Sequence, residues 1–330
     1  MGDRESAHSD AQWGGPQVTA RPVVGFCGLG RMGSRMAANL ARAGWPLALY
    51  NRTPQIADGF AEAHAPHATI SVCGSPAEVA RRAGITLTMV ADEEATCAVY
   101  EGEDGLLAGV HDGALLIEMS TIGPETVSRL GTQAAAAGGT FLDAPVSGSI
   151  ALAESAELTI MVGGDAAAVA RAEPVLRTLG ARVFHMGPLG SGATMKLAVN
   201  TIIYGLNGAL SEALVLAERA GLGRAAAYEV FAASAVAAPF VHYRREAFES
   251  PGEGPVGFLL DLAAKDMRLI LDLAAGVDSA MPQAASNLAV MQAASAAGHG
   301  SADISAVAVF LRSDTVAAAA GGGARGGGGR

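Results

Sequence analysis

After a polar opening, the chain settles into a rhythm of short apolar runs alternating with longer stretches that are apolar on one face. Residues 21–24 are a β-rich run. They lead through Gly25-Phe26-Cys27-Gly28-Leu29-Gly30-Arg31-Met32-Gly33 into a segment with apolar side chains at Met32, Met36, Leu40 and Ala43, the spacing of one helical face. Residues 46–50 read as a second strand ending in Asn51-Arg52-Thr53-Pro54, where Thr53 can cap a helix that has Pro54 at its first position. Ser75-Pro76-Ala77-Glu78 is a capping box. Residues 84–90 predict a strand, with Asp92-Glu93-Glu94 as the charged first turn of the next helix. Residues 113–118 predict another strand, which runs into Met119-Ser120-Thr121-Ile122-Gly123-Pro124. Residues 141–149 form a strand broken by Pro145 and followed by a turn of small residues. Residues 158–162 and 182–186 predict further strands, separated by a helix starting near Asp165. Strand and helix alternating from 21 to about 186 is the pattern of a doubly wound α/β sheet.

From Gly190 the pattern changes. Gly190-Ser191-Gly192-Ala193 opens a long, nearly uncharged helix to about Ala220, and no clear strand follows. Asn200, Asn207 and Glu212 interrupt its apolar run, so it reads as a buried helix rather than a membrane span. Four spans result: a tail over 1–20, a nucleotide-binding domain over 21–187, an all-helical domain over 188–315 and an Ala- then Gly-rich tail over 316–330. Both tails are expected to be disordered. The first lacks the apolar core of a signal peptide, and its start, Met1-Gly2-Asp3-Arg4-Glu5-Ser6, fits the bare myristoylation pattern but is read as part of the tail.

The candidate chemistry starts at the glycines. Strand, glycine turn and helix are the context in which GxGxxG marks a dinucleotide site. Gly28 allows the tight turn, Gly30 lets backbone approach a pyrophosphate, and Gly33 lets helix pack on strand; Leu29, Arg31 and Met32 lie between them as further cofactor contacts. An NAD site calls for an acid at the end of the second strand, roughly 20 residues on, to bind the ribose 2′-hydroxyl. This chain has Asn51, Arg52 and Thr53 there. A guanidinium pairs with a 2′-phosphate that an acid would repel, so the expected cofactor is NADP, with NAD less favoured. Val90 and Ala91 follow a strand end and are expected to touch the cofactor. Ser120 and Thr121 can offer hydroxyls and N–H groups to an anion or can cap a helix, and Ser147 and Gly148 can cradle a carboxylate. Lys196 and Asn200, four apart, share one face of the long helix among Met195, Leu197, Val199, Ile202 and Ile203. A lysine in such company either snorkels out or is buried with its pKa depressed, as a proton donor and acceptor needs. Lys265, by spacing alone, pairs with Asp261.

Bulk composition narrows the classes. Lys+Arg 22 against Asp+Glu 32 gives a net charge of −10, which does not suit a nucleic-acid backbone. Cys27, Cys73 and Cys97 form no CxxC or disulfide ladder, which points to a reducing cytoplasm. The seven His lack metal spacing; His64 and His67 are separated by Pro66 with no further ligand near, so no metal is expected.

Taken in order, these segments resemble those of the β-hydroxyacid dehydrogenases, the family of 3-hydroxyisobutyrate dehydrogenase, tartronate semialdehyde reductase and the glyoxylate/succinic semialdehyde reductases. The likeness runs from about Val23 to Leu311. It covers the glycine motif, Ser120-Thr121 with Pro124, the Asp143 to Gly148 segment, Gly190-Ser191-Gly192 through Lys196 and Asn200, and Lys265-Asp266. The resemblance implies a Rossmann domain followed by a helical one, assembling as a homodimer or homotetramer. Lys196 would be the catalytic acid/base and Asn200 would orient substrate. Ser120, Ser147 and Gly148 would bind the carboxylate of a small acid, and Thr121 and Lys265 would contact cofactor or substrate. Ser149 replaces a glycine as in the glyoxylate-reductase branch, Ala91 replaces a proline, and Ala95 stands where some members contact cofactor through an Asn. The implied reaction moves a hydride between NADP(H) and a small β-hydroxy acid, semialdehyde or glyoxylate. An imine reductase and a non-catalytic NADP-binding scaffold are the rival readings; relatives of both kinds typically lack the Lys that this chain has at 196.

Overall fold

The computed structural model describes residues 21–313; the two tails expected at the ends, the myristoylation-like start and residues 314–315 lie outside the described residues. Strand and helix alternate through the first half: β1 (Val24–Cys27), α1 (Gly33–Arg42), β2 (Leu47–Tyr50), α2 (Pro54–His64), β3 (Ile70–Val72), α3 (Pro76–Arg82), β4 (Ile85–Thr88), α4 (Glu93–Glu101), α5 (Leu106–Gly109), β5 (Leu115–Glu118) and α6 (Pro124–Ala136). Then come β6 (Thr140–Asp143), β7 (Val146–Ser147), α7 (Ile150–Glu154), β8 (Thr159–Gly163), α8 (Ala166–Leu176) and β9 (Arg182–Gly187). The strands form one sheet in the order β3-β2-β1-β4-β5-β6-β8-β7, with β9 paired to β8. The chain is α/β, with a mainly parallel sheet. The β6–β8 and β7–β8 pairings are antiparallel. Pro145 breaks the predicted strand over 141–149 into β6 and β7, because proline has no N–H for the ladder.

The order reverses between β1 and β4, and a doubly wound sheet opens its ligand crevice at the carboxyl ends of such neighbours. Their apolar side chains are buried: Val24, Phe26 and Leu87 have no exposed surface. That continuous burial is what a parallel strand covered on both faces requires. One apolar cluster contains Val24, Phe26, Met36, Leu40 and Leu87, and another joins Cys27, Ala48, Val79, Tyr100 and Leu116.

The second half is helical: α9 (Ser191–Arg219), α10 (Arg224–Ala233), α11 (Pro239–Tyr243), α12 (Arg245–Glu249), α13 (Leu260–Gly276), α14 (Pro282–Ala294) and α15 (Ala306–Arg312). Leu197, Tyr204, Leu214, Met267, Ile270 and Met291 share its separate core. α9 is long and apolar enough by composition to cross a membrane, but it carries Leu197, Tyr204, Leu210 and Leu214 into this core.

One predicted cap forms, one does not, and Asp92, read from the sequence as part of a first turn, is itself a cap. Ser75 Oγ accepts from Glu78 N, while Glu78 reaches back to Gly74 N instead of the N–H of Ser75. Asp92 is the cap of α4, accepting from Ala95 N at 2.8 Å, and Glu93 and Glu94 fill the first turn. Thr53 sits at the cap position of α2 with Pro54 next, yet its side chain makes no capping hydrogen bond. Asn51 Nδ2 instead braces the corner by donating to the Thr53 carbonyl at 3.0 Å.

Candidate active site

The glycine turn is shaped by two close approaches. Gly28 has φ +97°, and a Cβ there would lie 2.3 Å from the Met89 carbonyl oxygen; a Cβ on Gly33 would lie 2.0 Å from that of Gly28. Only glycine fits either place. A Cβ on Gly30, by contrast, meets nothing within 4 Å, so the space over the turn is open. The N–H groups of Gly30, Arg31, Met32 and Gly33 have no acceptor among the described residues. Four free donors at a helix N-terminus, under open space, fit the pyrophosphate of a nicotinamide dinucleotide. Met32 is partly buried against the core beneath. Arg31 is exposed, with its guanidinium on the Val256 carbonyl of the helical half.

Leu29 N donates to Asn51 Oδ1 at 2.9 Å, tying the turn to the end of β2. Beyond Asn51, Arg52 and Thr53 are exposed, and Arg52 forms no ion pair or hydrogen bond among the described residues. The corner where an adenine ribose belongs therefore presents an uncommitted cation and no acid.

The ends of β4 and β5 are stitched together. Val90 N donates to Ser120 Oγ at 2.9 Å, and Ser120 N donates to Glu118 Oε1 at 2.6 Å. The sequence left Ser120 open as an anion donor through its hydroxyl and N–H or as a helix cap. Glu118 takes the N–H, and α6 starts at Gly123-Pro124 without a side-chain cap. Ser120 Oγ acts toward Val90 as an acceptor, and its hydroxyl faces the Glu118 carboxylate, whose ionised form it favours. Thr121 contributes its carbonyl, which accepts from Lys265 Nζ at 2.7 Å, and the Ala91 carbonyl lies 3.5 Å from the same nitrogen. Lys265 thus does not pair with Asp261, whose carboxylate takes the Ser295 hydroxyl at 2.5 Å. Its ion-pair partner is Asp266, 2.9 Å away. Backbone carbonyls of the sheet half outcompete an i, i+4 partner on the solvent side. Ala95 serves the α4 cap through its N–H.

Asp143, at the end of β6, positions the long helix. Its Oδ1 accepts from Gly190 N at 2.8 Å and its Oδ2 from Ala193 N at 2.7 Å. A buried carboxylate thereby takes two of the free N–H groups at the start of α9, whose own cap residue, Gly190, has no side chain to offer. Burial pushes the Asp143 carboxyl upward, against the pull of those N–H groups. Lys196 follows on the second turn. Burial holds its ammonium down at about 8, with Asp266 pulling it up and Lys265 pushing it further down. It makes no hydrogen bond among the described residues and keeps part of its surface exposed, so it is available to a ligand. One turn on, Asn200 Nδ2 lies 2.8 Å from Asp266 Oδ2. Ser147 is partly buried and Gly148 is exposed, on the turn between β7 and the α7 cap residue, Ser149.

Hydrogen bonds thus join the ends of β1 and β2, join the ends of β4 and β5, and tie α9 to the end of β6 and α13 to the loops after β4 and β5. Two family profiles match the chain: the NAD-binding domain of 6-phosphogluconate dehydrogenase over residues 23–187, and the NAD-binding region of NADP-dependent 3-hydroxyisobutyrate dehydrogenase over 190–311. Glyoxylate/succinic semialdehyde reductase 1 of Arabidopsis thaliana is 36% identical, over 86% of this chain and 96% of that protein. The chain belongs to the β-hydroxyacid dehydrogenase family. The 3-hydroxyisobutyrate dehydrogenase of Pseudomonas aeruginosa is also 36% identical, over 86% of this chain and 96% of its own. The solved 3-hydroxyisobutyrate dehydrogenase of Mycobacterium tuberculosis with L-serine superposes with a TM-score of 0.76 at 32% identity, covering 89% of this chain and all of that one. A β-hydroxyacid dehydrogenase is a nicotinamide-dependent oxidoreductase, and the open glycine cradle suits that role.

Sequence reasoning missed three participants. Glu118 lies at the end of a strand read only as core, yet it is wholly buried and anchors Ser120. Asp143 and Tyr204 act through contacts across 47 to 62 residues of sequence, which no local pattern reveals. Lys265, already marked by the resemblance, is marked again by a simple count: it and Lys196 are the only two lysines in the chain, every other fixed cationic side chain being Arg. The two amines, the cations whose pKa yields to burial, both stand at this site.

Proposed function

We propose that this dehydrogenase uses NADP(H) to interconvert a small β-hydroxy acid and the corresponding semialdehyde, or to reduce glyoxylate, with Lys196 as its acid/base. The observation that carries the reading is the Lys196 amine: depressed toward neutrality, free of protein hydrogen bonds among the described residues, and on a helix whose start Asp143 pins to the sheet. A bound nicotinamide supplies or accepts the hydride. The chain's own residues do the rest. The Lys196 ammonium gives its proton to the carbonyl oxygen in reduction and, while it holds the proton, offsets the charge gathering there; the free amine takes the hydroxyl proton in oxidation. Ser120 and the backbone at Ser147-Gly148 hold the carboxylate. Arg52 favours the 2′-phosphate of NADP. The relatives named above, with hydroxy acid or semialdehyde in their names, support the substrate class. Exposed Ile202 and Leu216 on α9 support assembly as a homodimer or homotetramer.

The test is a screen of NADPH oxidation with glyoxylate, succinic semialdehyde, methylmalonate semialdehyde, tartronate semialdehyde and a cyclic imine, on the wild type and on Lys196→Ala. The expected result is turnover of one of the acids by the wild type and a loss of about 10²- to 10⁴-fold in the variant, which still binds NADPH. Turnover of the imine alone, or full activity without Lys196, would overturn the reading.

A further inference from the structure

The two lysine amines at the candidate site are placed in opposite ways. Lys265 Nζ is engaged: it donates to the Thr121 carbonyl at 2.7 Å, lies 3.5 Å from that of Ala91 and pairs with Asp266 at 2.9 Å. Lys196 Nζ has no hydrogen bond or ion pair among the described residues, and the residue is only partly covered. Its polar neighbours on α9 turn elsewhere. Asn200 and Tyr204, one and two turns on, face Asp266 Oδ2 at 2.8 and 2.6 Å. An amine beside a carbonyl has two courses open. Protonated, it gives its proton to the oxygen, which is the acid step of the reading above. Unprotonated, it has a lone pair that attacks the carbon. At Lys196 nothing on the protein occupies that lone pair; at Lys265 an attack would break three contacts.

We propose that Lys196 is also a covalent site for small aldehydes that carry a carboxylate, forming a reversible iminium that masks the acid/base. The inference rests on the reading above for the place of the carbonyl. The nitrogen lone pair forms the C–N bond, the π pair of the carbonyl moves to its oxygen, and that oxygen takes the proton the nitrogen releases. In the carbinolamine so formed, the nitrogen pair makes the C=N bond and the hydroxyl leaves with a proton as water. Overall, ammonium and aldehyde give iminium and water, and no oxidant or reductant enters. The iminium keeps a positive charge on the nitrogen, where the charge of Asp266 favours it. Water reverses the step. The enzyme is thereby self-limiting: aldehyde in excess masks Lys196, and falling aldehyde restores it.

Burial supplies the free amine. It holds Lys196 down at about 8, so at pH 7 about one amine in ten is unprotonated, against roughly one in several thousand for an ordinary lysine. The titratable groups acting on it are Asp266, which opposes this shift, and Lys265, which adds to it; Tyr204 lies against Asp266.

The test needs only the wild type, without cofactor. Glyoxylate with cyanoborohydride at pH 7 converts the iminium to a stable secondary amine, heavier by one carboxymethyl group. An alkylated lysine is not cut by trypsin, so label on Lys196 appears in the peptide Val183–Arg219 and label on Lys265 in Glu246–Arg268, both apart from the peptide with the α-amine. Lys196 is expected to carry at least about tenfold more label than Lys265, a ratio that falls to about one in urea. Excess glycolate, which has the carboxylate but no carbonyl, should slow labelling of Lys196 and leave Lys265 unchanged. Label shared equally by the two lysines, a ratio that survives in urea, or no protection by glycolate would overturn the proposal. The labelling requires no turnover, so the two readings fail separately. Turnover of an acid without label on Lys196 overturns this inference alone; label on Lys196 in a protein that reduces none of the acids supports it and overturns the proposed function.

Discussion

Lys265 Nζ lies 2.7 Å from the Thr121 carbonyl oxygen, a bond that joins the helical half of the molecule to the loop after β5. The same nitrogen pairs with Asp266 at 2.9 Å, at an angle that leaves Asp266 Oδ1 without an aligned hydrogen bond. Lys265 is thus a junction: sheet carbonyls on one side, and on the other the carboxylate that organises Asn200. Lys265→Met keeps the length of the side chain and removes the charge. It should lower Tm by several degrees, since a largely buried carboxylate loses its cation. It should also raise the pH at which Lys196 titrates, because Lys265 is a like charge that pushes that amine down. Calorimetry checks the first effect, and the NMR pH titration of the two ¹³C-methylated lysines checks the second.

Asp143 makes a second link, from β6 to the start of α9. Asp143→Asn retains one acceptor oxygen and turns its NH₂ against an N–H it used to accept from. Loss of a charge-assisted bond to a helix N-terminus costs about 1–3 kcal/mol. The effect on catalysis should exceed the effect on stability, because Lys196 rides on the second turn of this helix: kcat should fall while cofactor affinity is retained. Equal losses in both would mean that Asp143 supports the fold as a whole and not the placement of Lys196.

Much of this was legible in the sequence. Strand–turn–helix around Gly28, Gly30 and Gly33 and the periodicity of the later helices are local signals, and each gives one reading. Lys196 and Asn200 share a face through helical spacing alone. What stayed hidden depends on partners distant along the chain. Ser120 could not be told from a helix cap until Val90 N and Glu118 were seen to occupy it. Lys265 paired on paper with Asp261 because i, i+4 is the only partner that sequence offers, whereas carbonyls 144 and 174 residues away hold it in the fold.

In the proposed function, Arg52 carries the cofactor preference. Arg52→Ser should raise the KM for NADPH about 10- to 100-fold, the worth of a charge-assisted bond to a phosphate, and leave the KM for NADH nearly unchanged. Arg52→Asp should go further and favour NADH, since an acid can take the 2′-hydroxyl and repels the phosphate. Initial rates with both cofactors check it; a variant that keeps its NADPH preference would place the discrimination elsewhere.

Proton transfer through Lys196 predicts opposite pH profiles for the two directions. The amine titrates at about 8. Reduction needs the ammonium, so its kcat/KM should be level below about pH 8 and fall tenfold per unit above it. Oxidation needs the free amine, so its kcat/KM should rise tenfold per unit and level off above about pH 8. Profiles that bend together in both directions would report some other group.

Glu118 predicts a pH dependence of stability. It is buried beside Tyr100 and Thr88, and Glu118 Oε2, the Tyr100 hydroxyl and Thr88 Oγ1 are sealed from solvent without an aligned partner. Burial pushes its carboxyl up to about 7, although the Ser120 hydroxyl and N–H favour the ionised form. The sign follows from linkage. A carboxyl raised in the fold above its ordinary value near 4.5 binds its proton more tightly folded than unfolded, so its contribution is fully present below about pH 4.5 and is lost as pH rises toward 7. The loss has a ceiling of about 3 kcal/mol at pH 8. Glu118→Gln cannot ionise, and its oxygen can still accept from Ser120 N. The variant should match the wild type within about 1 kcal/mol at pH 5 and exceed it at pH 8, so the difference in Tm should change with pH and grow through the interval from 5 to 7. A difference that stays constant across that interval would show that Glu118 is already ionised in the fold, and the polar cluster at the end of β5 would then need a cation to hold it.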